Sequence, residues 1–198
     1  GTSVAIDPNN DTIHAALVVL RFPDMELVER HGLSEKITFP YVRGLLAFRE
    51  APPLMKLMKQ IQHKPDVILF HSHGLAHPRR FGLASHLGVL FDIPSLGVAD
   101  RVLVGYHDEI DLEKGHHAPL VHNGEEVGLA LRTKEGVSPV FISVGHKADL
   151  LTTMDFTLEC TTHYRRPEPI RQAHLAVEAQ RDGESIDIDV GGDQTTLF

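Results

Sequence analysis

Two stretches of this chain combine residue types that handle phosphate esters. Pro40–Glu50, PYVRGLLAFRE, sets an acid behind a glycine turn, and Phe70–His86, FHSHGLAHPRRFGLASH, sets several histidines and paired arginines around further glycines. A hard cation such as Mg²⁺ takes carboxylate oxygens together with substrate phosphate. Once held, it polarises the phosphoryl oxygen and readies a water for in-line attack. Asp7 and Glu50 are the carboxylates placed to supply those oxygens, although Asp7 also reads as a turn residue before proline and Glu50 as a solvated helix-end charge. His77, in a His-Pro-Arg turn, is a candidate acid/base or phosphate-holding group, or simply a surface histidine. Arg79 and Arg80 have the geometry to clamp phosphates bidentately, or to start a helix in solvent. Gly44, Gly74 and Gly82 allow close approach of a base or backbone, and Tyr41 is an aromatic that stacks on bases or wedges between them. One residue is out of place for this chemistry. At the end of the strand entering the second stretch, where a metal site wants a carboxylate, stands His71.

These residues need a scaffold, and the hydrophobic pattern supplies one. Thr2–Ile6, Ile13–Phe22 and Glu26–Arg30 read as three strands joined by tight turns, an antiparallel meander. A helix opening near Pro52 and Pro53 follows, with Leu54, Leu57, Met58 and Ile61 at helical spacing. Val67–Phe70 reads as a central parallel strand, about Phe81–Phe91 as a helix and Pro94–Val98 as the next strand. Val121–Glu126 and Gly128–Arg132 form a hairpin about Asn123-Gly124, Val140–Val144 is a further strand, and Leu151–Tyr164 and Ile170–Arg181 are helices. Strands in a meander, then alternating helix and strand, predict an α/β fold: a mixed sheet with helices on both faces, in the order of ribonuclease H-like folds. Ligands of such sheets sit beyond the carboxyl ends of the strands. Asp7, His71 and Asp100 end or follow strands and Glu50 lies in a connection, so all four are expected to converge on one edge. Residues 1–181 are expected to form one domain, and the acidic, Gly-rich 182–198 a loose tail.

Composition narrows the partners. Acidic residues outnumber basic ones, 27 to 19, for a net charge of −8, which argues against a nonspecific nucleic-acid coat but not against a local groove. The single cysteine, Cys160, fits a reducing compartment, and no apolar run approaches a membrane span. A soluble, cytoplasmic protein is expected, with no membrane partner and as a monomer.

Taken in order, PYVRGLLAFRE, KPDVILFHSHGLAHPRRFGLASH, IPSLGVA, LRTKEG, VFISVGH and RRPEPIRQAH resemble the endonuclease V family, from about Ala5 to Leu175. The resemblance implies a ribonuclease H-like fold and Mg²⁺-dependent cleavage of a DNA or RNA strand at the second phosphodiester 3′ of a deaminated base, inosine. It puts Asp7 and Glu50 on the family's first and second metal carboxylates, and Tyr41, with Pro40 beside it, in the wedge that opens the duplex. Gly44, Leu46, Gly74 and Leu103 fall near the pocket for the flipped base, and His77 and His174 match histidines associated with the site. Four positions depart from the family. His71 replaces the third metal acid, Asp100 replaces a lysine beside the phosphate, Ser72 replaces a glycine and Arg43 the second proline of the wedge.

Two readings follow. In the first, the acid lost at position 71 reappears at Asp100, and Asp7, Glu50, His71 and Asp100 make a mixed nitrogen–oxygen site suited to Mn²⁺ as well as Mg²⁺. The enzyme then cuts, with weakened or altered catalysis. In the second, the chain keeps the base pocket and binds without cutting. Whether the Asp100 and Glu50 carboxyls reach one ion separates them.

Overall fold

The computed structural model describes residues 1–42 and 44–189. Its centre is one mixed sheet built from β1 (Thr2–Asp7), β2 (Thr12–Arg21), β3 (Glu26–Lys36), β4 (Ile68–Phe70), β5 (Ser95–Ala99), β6 (His117–His122), β7 (Glu125–Leu131), β8 (Val140–His146) and β9 (Ile188–Asp189). Spatial order is β6-β7-β8-β5-β4-β1-β2-β3-β9. β1 pairs antiparallel with β2 and parallel with β4, so the first strand lies beside both expected neighbours. β4 and β5 are parallel, and the remaining pairs are antiparallel.

Side chains alternate across a strand, and here both faces are covered. Ala15 and Leu17 of β2 and Ile68 and Phe70 of β4 face α1 (Ala47–Met58) and α2 (Leu83–Phe91), where Leu54, Leu57 and Leu87 close the core. Their intervening neighbours face the other way. Leu69 packs with Leu96, Val98 and Ile170, flanked by α3 (Leu150–Glu159), and Ala16 packs with Ala176 and Val177 of α4 (Glu168–Arg181). This two-sided burial is why β2 and β4 read as unbroken apolar runs. The hairpin turn at Asn123-Gly124 has both residues at positive φ, 57° and 77°, as a two-residue turn requires.

Two expectations are corrected. α1 opens at Ala47, so Pro52 and Pro53 lie inside it rather than in its first turn. A separate set of backbone bonds winds that opening turn, with the amides of Phe48, Arg49 and Glu50 donating to Leu45 and Leu46 carbonyls. Glu50 thereby becomes a helical residue held in place. The tail is not loose over the residues described. Ile186 is 3% exposed in the cluster with Ala16 and Val177, and Ile188–Asp189 adds an edge strand to β3. An apolar side chain of that size outweighs the acidic composition around it. Residues 190–198, and Arg43, lie outside the described residues.

Candidate functional site

β4 and β5 end side by side, at Phe70 and Ala99, and the next residues, His71 and Asp100, stand at their carboxyl ends. β1 fixes what faces them. Its parallel register pairs Thr2 with Phe70, and the His71 amide donates to the Thr2 carbonyl at 3.1 Å. Ser3 is therefore the β1 residue beside His71, with its Oγ 3.3 Å from the His71 Nδ1. On the other side His71 Nε2 lies 3.0 Å from Asp100 Oδ2.

Asp100 is gripped from a third direction. Arg165 Nη1 donates to Oδ1 at 2.9 Å, Arg166 Nη2 to Oδ2 at 2.6 Å, and Arg166 Nε reaches both oxygens at 3.2 Å. Arg165 also ties to the Asp100, Pro139 and Ser138 carbonyls. Burial alone would raise the Asp100 carboxyl, but the hydrogen bonds from His71 and Arg166 hold it well below the usual carboxylate range. An ionised carboxylate only accepts, so Nε2 of His71 carries the proton it donates. In the neutral ring Nδ1 then accepts from the Ser3 hydroxyl, and in the doubly protonated ring both nitrogens donate. Neither form leaves a ring lone pair for a metal.

His71 and Asp100 of this cluster line a cavity of about 730 Å³. Tyr41, Leu46, Leu83 and Leu103 give it apolar walls, and Glu50, Ser72, His73, His77 and Asp100 give it polar ones. Glu50 comes from the first turn of α1, and burial, only partly offset by Arg49, pushes its carboxyl up to about 7. Burial lowers His73 to about 4 and also lowers His77, so both rings are neutral near pH 7. Ser72 Oγ and His73 Nδ1 are buried without a hydrogen-bond partner among the described residues. Both residues line the cavity, and a buried polar atom left so calls for a partner. His174, on α4, packs edge-on against His71 at 5.9 Å between ring centres, and burial, Arg166 and the His71 ring lower its pKa.

Other expected residues fall elsewhere. Asp7 closes β1 at the opposite end from Thr2, accepts from the Asn9 amide at 2.9 Å and lines a separate shallow concavity with Pro8 and Arg181. It lies four residue steps along β1 from Ser3, about 13 Å at 3.3 Å per residue, so the expected convergence of Asp7 with Glu50, His71 and Asp100 does not occur. Pro40 lines a neighbouring concavity that shares Tyr41. Gly44 sits at the cavity rim at φ 79°, with the Arg79 guanidinium over it. Arg80 turns away to Glu125, at 2.8 Å, and to the His122 carbonyl, at 2.9 Å. Gly74 is buried behind the cavity: a Cβ there would stand 2.0 Å from the Val144 carbonyl oxygen, and its amide donates to Ser143 Oγ. It is a packing glycine. Ser3, His73, Arg165 and Arg166 are the site residues that sequence reasoning missed.

Comparison with known proteins adds the family. The Endonuclease V family model matches residues 1–175. The Endonuclease V of Trichormus variabilis is 46% identical over 173 residues, 87% of this chain and 78% of that protein. The Endonuclease V structure from Streptomyces avermitilis superposes with a TM-score of 0.88 at 42% identity, covering 92% of this chain and 80% of that one. Ciona intestinalis Endonuclease V, crystallised with a 24mer DNA containing an inosine followed by a ribo-adenosine, gives 0.78 at 28% identity, covering 92% and 85%. With a ribonuclease H-like sheet, a cavity at its strand ends and a family match across most of its length, the chain belongs to the endonuclease V family of metal-dependent nucleases.

Proposed function

We propose that this chain is an endonuclease V-type phosphodiesterase of the cytoplasm, acting as a monomer on DNA or RNA that carries a deaminated base, with cleavage weakened by its altered site. The observation that carries the reading is the cavity itself. Its apolar walls suit a flat base taken out of its stack, Tyr41 is an exposed ring able to fill the gap left behind, and Ser72 Oγ and His73 Nδ1 are unpartnered polar atoms for the base edge.

The metal of the family is Mg²⁺ or Mn²⁺ by expectation, with Asp7, Glu50 and His71 as ligands. The residues present do not fit it. Asp7 is remote, both His71 nitrogens are engaged, and among the described residues no three His, Cys, Asp or Glu side chains come close enough to hold an ion. Glu50 is the remaining cavity carboxyl without an ion pair among the described residues, and it is the group placed to take a proton from a water. One observation favours the second reading, a binder that does not cut: Asp100 is spent on Arg165 and Arg166 rather than turned towards Glu50.

The test is binding and cleavage of inosine-containing single strands of DNA and RNA against matched guanosine strands. Preferred binding of the inosine strands with slow cutting is expected. Preferred binding with no cut product selects the second reading, and equal affinity for the guanosine strands overturns both.

A further inference from the structure

We propose that the cluster of Ser3, His71, Asp100, Arg165 and Arg166 is a metal-free cationic group whose open edge, on Arg166, meets the phosphodiester of the bound strand directly, so that this chain engages nucleic acid without a divalent ion. The inference rests on the nucleic-acid reading above and deepens it.

Consider what a dication would find at the strand ends. Asp100 Oδ1 already takes Arg165 Nη1 and Arg166 Nε, and Oδ2 takes His71 Nε2 with Arg166 Nη2 and Nε. Those contacts use the lone-pair directions of both oxygens. An ion would have to displace two guanidinium groups from a partly buried carboxylate, and such charge-assisted pairs are the strong ones. His71 offers no lone pair, for the reason given by its two partners. Ser3, where the strand register puts a side chain against His71, brings a hydroxyl and no charge.

Charge points the same way. One carboxylate against two guanidinium groups leaves an excess of about one positive charge, which repels a dication and attracts a phosphodiester. Arg166 keeps Nη1 without a hydrogen-bond partner among the described residues, and its side chain is 29% exposed. A guanidinium held by one carboxylate with an edge still open is a ready partner for phosphate oxygen. Glu50 alone, across the cavity, would have to hold an ion against that positive field.

The experiment measures metal and strand separately. Mn²⁺ binding to the native chain is followed by electron paramagnetic resonance, and affinity for an inosine strand is measured in EDTA, Mg²⁺ and Mn²⁺ at matched ionic strength. No stoichiometric Mn²⁺ and affinities agreeing within about twofold are expected, because matched salt leaves counterion release unchanged. A stoichiometric Mn²⁺ site, or a loss of about tenfold or more in EDTA, would overturn the proposal. Ser3→Asp with His71→Asp sets two carboxylates side by side below Glu50 and should acquire Mn²⁺, which shows that the spectroscopy can see a site in this fold. Arg166→Gln should weaken the strand by about tenfold while Arg166→Lys, which keeps the charge, loses less. Native affinity in the glutamine variant would remove the cluster from strand binding. An inosine preference that vanishes while metal independence holds would strike the base-recognition reading and leave this one standing.

Discussion

Single residues in this protein carry unequal loads. Glu29 is fully buried, and its carboxylate accepts from the Gln62 and His63 amides and faces the His31 and His63 rings. Burial opposes its charge, but those hydrogen bonds outweigh it and lower the carboxyl from 4.5 to about 2. A depressed acid stabilises the fold fully above its unfolded value and loses that contribution as pH falls through the folded one. The native chain should therefore exceed Glu29→Gln by on the order of 3 kcal/mol above about pH 5, with the gap closing towards pH 2. Urea midpoints of the two proteins across that range check it. Tyr41 is the opposite case. At 70% exposure its ring contributes little to the fold, so Tyr41→Ala should keep its melting temperature while losing about 1–3 kcal/mol of strand affinity, read by fluorescence anisotropy. Gly74→Ala should damage the fold rather than the cavity, because its new Cβ meets main chain. A cost of about 1–3 kcal/mol or more, seen in thermal melts, is expected.

Elements explain what the sequence disclosed and what it withheld. The unbroken apolar runs of β2 and β4, the Asn-Gly turn and the helical stripe of α1 are local signals, and each led to the right element. Glu50, His71 and Asp100 follow from those elements, Tyr41 from its residue type and Leu46 and Leu103 from the family resemblance, and the structure gathers all six at one cavity. Asp7 shows the limit. Ser3 and Asp7 share a face of β1, and only the parallel register with β4 decides which of them stands at the site. That register is set by long-range packing and leaves no mark on a four-residue stretch. Arg165 and Arg166 were hidden for a related reason, since their partner lies 65 residues away from the first of them. The docked tail is a third case: Ile186 is its buried apolar anchor, with its carbonyl accepting from Arg30 Nε and Asp187 accepting from the Gly32 amide. Ile186→Ala should cost about 2–4 kcal/mol in chemical denaturation, and an unchanged midpoint would show that the segment does not hold the edge.

At the scale of the whole molecule, part of the charge is spent internally. The chain carries a net −8, and Arg80, Arg165, Arg166 and Arg171 are all paired with carboxylates. Among the described residues that line the cavity the one Lys or Arg is Arg101, so a long track of phosphates finds few cations there. The dependence of strand affinity on salt should accordingly be shallow, a log–log slope of roughly −1 to −2 at about −0.7 per neutralised phosphate. A slope steeper than about −4 in a titration series would mean a much wider footprint than the cavity.

The arginine grip on Asp100 also joins parts of the chain that are far apart. Asp100 follows β5, while Arg165 and Arg166 belong to the connection between α3 and α4, and Arg165 further holds the Ser138 and Pro139 carbonyls ahead of β8. A connection tied at so many points does not open by itself. The Thr161 and Glu168 amides, which donate to the Leu158 and Cys160 carbonyls at the two ends of that connection, should exchange with solvent deuterium together with those around residues 100 and 140, in one slow cooperative opening. Cutting the tie with Asp100→Ala should split that opening into independent, faster ones, while amides at the far end of the sheet, in β2 and β3, keep their native rates.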